Sequence, residues 1–165
     1  MNKHPALALT RCAAMAALVM ALTSFPKVPV SATGGYVHLG DAAIFAAVTL
    51  LGPSGIAAAA IGSALADLLG GYLVYALPTA LIKAAMAAVA CFFPMKKHRL
   101  PAFLLAAAVM VLGYFVAESL LYGPAAALSA VLPNLVQGLT GAVLALLMMP
   151  WLLRLKHHLK SSNLV

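Results

Sequence analysis

The chain has 165 residues, 65% of them hydrophobic and 8% charged, and a mean hydropathy of +1.07, which excludes an ordinary soluble domain. The formal net charge of +7 does not point to nucleic acid, because no water-exposed basic face interleaved with aromatics is present to track phosphates. The two cysteines, Cys12 and Cys91, lie in apolar segments and read as small buried hydrophobes, neither a disulfide framework nor a metal site.

A bilayer span needs about 20 mostly apolar residues, and Gly, Pro and charge punctuation divides the chain into six such segments, 6–25, 39–52, 54–70, 78–94, 100–121 and 124–153. The expected fold is all-α, a polytopic membrane protein of six transmembrane helices forming one integral membrane domain over residues 1–165. The second segment is short for a full span, and Pro133 is expected to interrupt the sixth.

The first segment superficially resembles a signal peptide, with Lys3 and Arg11 before an apolar core, but a retained helix gives the more consistent charge map. It carries Ala13, Ala17 and Ala21 at four-residue spacing, a flat stripe that permits close approach by another helix, within this chain or from a partner. The connection that follows ends in Gly35-Tyr36-Val37-His38-Leu39-Gly40-Asp41, where Asp41 can line a pocket or serve the start of the second helix. His38 and Asp41 are too few for a metal site, so no metal and no cofactor is expected. Gly52-Pro53-Ser54-Gly55 matches the GxSG of rhomboid-type intramembrane proteases, yet His98, His157 and His158 all fall in connections, leaving the serine without a base. It reads better as a turn. No GxxxxGK[ST] is present, so any dependence on ATP must come from a partner. The chain is not expected to be an enzyme.

Asp67 closes the third segment, Tyr72 and Tyr75 follow it, and Lys83 stands about five residues, or ~8 Å, into the fourth. In the fifth, Tyr114 is one turn from Glu118. In the sixth, Asn134 and Gln137 share a face with Gly138 and Gly141. Tyr72 and Tyr122 also suit an interfacial aromatic belt. Lys and Arg accumulate in cytoplasmic connections, and placing the N-terminus inside puts Lys3, Arg11, Lys96, Lys97, Arg99, Arg154, Lys156 and Lys160 there, with Lys27 outside. Both termini are then cytoplasmic, and the only three acids, Asp41, Asp67 and Glu118, fall on the outer side together with Lys83. Intramembrane charges are costly and usually pair inside the bundle, so these four are expected to meet in one polar cavity with Tyr36, His38, Tyr75, Tyr114, Asn134 and Gln137.

The stretches GYVHLGDAAIF, GPSGIAAAAIGSALADLLGGY, TALIKAAM, GYFVAESLLYG and PNLVQG, in this order over about residues 10 to 153, resemble the substrate-binding S components of energy-coupling factor (ECF) vitamin transporters. The likeness is to the riboflavin, hydroxymethylpyrimidine and pyridoxine branch. The resemblance implies a multi-pass subunit of a bacterial plasma membrane that captures a vitamin or precursor outside. It implies association with a transmembrane coupling subunit and two ATPases, with Ala13, Ala17 and Ala21 contacting the coupling subunit. The site residues match no single vitamin specificity. A mixed Asp, Glu, Lys and amide cavity suits a pyridoxine-, hydroxymethylpyrimidine- or thiamine-precursor-like ligand better than a flavin. A structural or assembly membrane protein whose charges serve only helix association is the competing reading.

Overall fold

The computed structural model describes residues 5–31, 33–93 and 99–161. Lys3, Lys96, Lys97 and His98 of the sequence reading lie outside the described residues, as does the side chain of Lys160. Among the described residues six helices are present: α1 (Pro5–Ser24), α2 (Gly40–Leu51), α3 (Ser54–Leu69), α4 (Leu73–Phe92), α5 (Arg99–Tyr122) and α6 (Pro124–Ser161). Between α1 and α2 the expected loop is instead a two-stranded antiparallel hairpin, β1 (Val28–Val30) and β2 (Gly35–Val37), paired Val28 with Val37, Pro29 with Tyr36 and Val30 with Gly35. Val28, Val30, Tyr36 and Val37 are strand-favouring residues that suit this pairing.

Among the described residues four helices, α1, α4, α5 and α6, are long and apolar enough to cross a membrane, while α2 and α3 are shorter apolar helices. Large apolar side chains such as Leu69, Leu77, Leu112 and Leu120 remain exposed on the periphery, the surface expected of a protein solvated by lipid. Helix α2 has the opposite character. Its residues Gly40 to Leu50 are all buried, so at 12 residues, about 18 Å, it is a central strut and not a peripheral span. Phe45 of α2 stacks on Phe103 of α5 with ring centroids 4.2 Å apart.

Two boundaries differ from the sequence reading. Helix α4 begins at Leu73, five residues earlier than expected, because Pro78 is accommodated inside it and the true break is the Gly70-Gly71 turn, where Gly71 has φ +82°. Helix α6 is not interrupted: Pro133 and Pro150 both sit within its 38 residues. At about 57 Å it is longer than the ~30 Å hydrocarbon core, and near its end Lys156 donates to the Thr49 carbonyl of α2 at 2.7 Å.

Helices α1 and α3 cross closely at Gly62, where an added Cβ would stand 2.4 Å from the Ala16 carbonyl oxygen. Gly62→Ala is therefore expected to destabilise the fold by about 1–3 kcal/mol, measured as a lowered thermal midpoint in detergent. Leu69→Ala on the exposed rim should leave that midpoint unchanged.

Candidate functional site

The hairpin, the α3–α4 turn and the α5–α6 turn lie at one end of the bundle. Below them lies a narrow cleft lined by both strands and by α3, α4, α5 and α6. Eight residues singled out from the sequence line it: Tyr36, His38, Asp67, Tyr75, Tyr114, Glu118, Asn134 and Gln137. The other two do not. Asp41 and Lys83 form an ion pair beneath it, Nζ to Oδ1 2.5 Å, with both side chains 0% exposed. The expectation that Lys83 belongs to the outer half is corrected by the start of α4. It lies ten residues past Leu73, about 15 Å along a helix of about 30 Å. Asp41 reaches this depth because the hairpin occupies the upper part of its path and α2 starts low. It neither caps a helix in a headgroup region nor faces the cleft.

A hydrogen-bond chain links this pair to the cleft. Gln137 Nε2 donates to Asp41 Oδ2 at 2.9 Å, and Gln137 Oε1 accepts the His38 backbone N–H at 2.9 Å. The Gly40 N–H donates to His38 Nδ1 at 2.9 Å, which leaves the imidazole neutral with its hydrogen on Nε2. Burial and the positive charge of Lys83 hold its pKa down near 3, against the opposing pull of Asp41. Gly141 permits α6 to approach, since a Cβ there would stand 2.7 Å from Asp41 Cβ.

The hairpin is tied to the cleft walls by polar contacts. Tyr36 Oη donates to Asp67 Oδ1 at 2.6 Å. Burial, reinforced by that carboxylate, pushes the Tyr36 hydroxyl far above its usual range, so it stays a donor. Lys27 Nζ sits 4.2 Å from the Tyr36 ring centroid and 4.8 Å from that of Tyr72. Tyr75 Oη donates to the Thr33 carbonyl at 2.9 Å and lies 3.3 Å from Glu118 Oε1. Tyr72 thus serves the hairpin, and Tyr122 packs 6.2 Å from the Tyr75 ring.

Sequence reasoning missed Val30, Gly35, Thr79 and Ala130 in the lining. For Thr79 a signal existed: Tyr75, Thr79 and Lys83 follow one another at i, i+4 on α4, and the Thr79 hydroxyl lies 3.1 Å from Tyr114 Oη. Ala130 precedes Asn134 by the same spacing. Ser54 of the GxSG match gives its hydroxyl to the Leu51 carbonyl at 3.2 Å, in the α2–α3 turn at the opposite end of the molecule. On α1, Ala16, Val19 and Thr23 face the interior, whereas Ala13, Ala17 and Ala21 are exposed. Internal packing therefore does not account for that stripe.

The family model described as "ECF-type riboflavin transporter, S component" matches residues 6–154. The chain belongs to this family. As an ECF S component it is the substrate-binding subunit of a transporter, a multi-pass membrane protein and not an enzyme. A protein of Pyrococcus woesei, described as "Uncharacterized protein in gap 3'region", is 34% identical over 131 residues, covering 76% of this chain and 88% of that one.

Removing one member of a buried ion pair strands the other charge and costs about 3–5 kcal/mol. Lys83→Met and Asp41→Asn should each lose that much stability, and the double variant substantially less than the sum, in a double-mutant cycle of detergent unfolding.

Proposed function

We propose that this S component captures a small vitamin or vitamin precursor in the hairpin-capped cleft and delivers it with a coupling subunit and two ATPases. The observation that carries the reading is the concentration of polar side chains from five elements around one cleft inside an otherwise apolar bundle, an arrangement too costly to keep in lipid without a use. The cleft opens at the end that the distribution of Lys and Arg assigns to the outside, which leaves both termini cytoplasmic in the plasma membrane. Pyridoxine-, hydroxymethylpyrimidine- or thiamine-precursor-like rings suit its polarity. Tyr36, His38, Asp67, Tyr75, Tyr114, Glu118 and Asn134 contact the ligand; Asp41 and Lys83 act from below through Gln137. The exposed Ala13, Ala17 and Ala21 form the face that meets the coupling subunit, where small side chains let a second helix approach closely.

Equilibrium binding of the purified chain to B vitamins and their precursors tests the reading. Micromolar or tighter binding of one compound is expected, and its absence across the panel favours an assembly role instead. Asp67→Ala and Glu118→Ala should each weaken binding by about tenfold or more, equivalent to ~1.4 kcal/mol, with the thermal midpoint of the empty protein retained. Loss of folding would assign these acids to structure. Ala17→Leu should leave ligand affinity intact and prevent co-purification with a coupling subunit; undiminished co-purification would remove the stripe from the interface.

A further inference from the structure

The cleft was expected to mix both signs of charge, but its only nearby lysines are engaged elsewhere. Lys83 is committed to Asp41 beneath the floor, and Lys27 lies against the rings of Tyr36 and Tyr72. Neither lines the cleft, and no Lys or Arg does so among the described residues. Its lining carries two carboxyl groups, Asp67 and Glu118, each only 3% exposed. By hydrogen-bond geometry one oxygen of each is satisfied, Asp67 Oδ1 by Tyr36 and Glu118 Oε1 by Tyr75, with the Thr79 and Thr33 hydroxyls standing near enough to Asp67 and Glu118 respectively to act on them. Asp67 Oδ2 and Glu118 Oε2 are buried without a hydrogen-bond partner among the described residues. A buried acceptor left unpaired carries its full desolvation penalty, and two of them in one cleft constitute a standing demand for donors.

We infer that the substrate is a donor-rich or cationic aromatic heterocycle, carrying an exocyclic amine or a protonated ring nitrogen, whose N–H groups meet Asp67 Oδ2 and Glu118 Oε2. Tyr36, Tyr75 and Tyr114 also line the cleft, and aromatic walls of this kind suit a flat ring. The neutral imidazole of His38 and the amide of Asn134 serve the ligand's remaining polar groups. Phosphate esters are disfavoured, because an anion would meet two buried carboxyl groups and, among the described residues, no Lys or Arg in the lining. A ring edge that offers carbonyl oxygens instead of amines is discriminated against for the same reason, since it leaves the acceptors unpaired.

This assignment deepens the capture reading and rests on it, so its test must separate the two. Isothermal titration of the full-length chain in detergent would use 4-amino-5-hydroxymethyl-2-methylpyrimidine against its 4-oxo analogue, pyridoxamine against pyridoxine, the phosphate monoesters of both amines, and riboflavin. At least one amine is expected to bind about tenfold or more tighter than its amine-free partner and its own phosphate ester. Asp67→Asn and Glu118→Gln should remove most of that preference. The comparison within each pair on the unaltered chain decides the matter even if a variant fails to fold. Equal affinity within both pairs, or tighter binding of a phosphate ester or of riboflavin, overturns the donor-rich assignment and leaves substrate capture standing. No binding of any compound overturns both.

Discussion

The contact between Lys83 and Asp41 is the constraint on which the rest of this structure depends. In an apolar bundle each charge carries a desolvation penalty of several kcal/mol, offset only by close contact and by partners for the remaining lone pairs. Asp41 meets both conditions, with Lys83 on one oxygen and Gln137 on the other. Those partners fix three helices at once: α2 supplies the carboxylate, α4 the ammonium and α6 the amide. Because Gln137 also accepts the His38 N–H, the descending end of the hairpin is set by the same carboxylate. Gly141 removes the side chain that would hold α6 away.

The short central helix follows from this. A full-length α2 would place Asp41 near one end of the bundle, within reach of water and about 15 Å from the middle of α4. Giving the upper part of its path to a hairpin lowers Asp41 to the level of Lys83 and vacates the volume that becomes the cleft. The fold thereby divides its acids by position. Asp41 is paired with Lys83 below the cleft, while Asp67 and Glu118, near the ends of α3 and α5, line it, and no lysine does so among the described residues.

Much of this was legible in the sequence wherever function and helical period coincide. Tyr114 with Glu118, and Asn134 with Gln137, share faces by spacing alone, and the costliness of intramembrane charge predicts that the acids gather. What stayed hidden was long-range pairing. Nothing in the local pattern distinguishes which of three carboxylates takes Lys83, since Asp41 lies 42 residues away in sequence. The error in depth had a specific cause, Pro78 read as a boundary although it fits within the first turns of α4. The hairpin was likewise missed, because two strands of three residues are too short to show an alternating period. With it went Val30 and Gly35 of the lining.

The hairpin's attachment differs in kind from that of the walls. The helices meet through packed apolar surfaces such as Phe45 on Phe103, which no small ligand would disturb. The hairpin is held mainly by polar contacts: Tyr36 to Asp67, Lys27 over two tyrosine rings, and Tyr75 to the Thr33 carbonyl beside Glu118. Asp67 and Glu118 therefore stand at a junction, each with one oxygen toward a tyrosine that secures the hairpin and the other without a hydrogen-bond partner among the described residues.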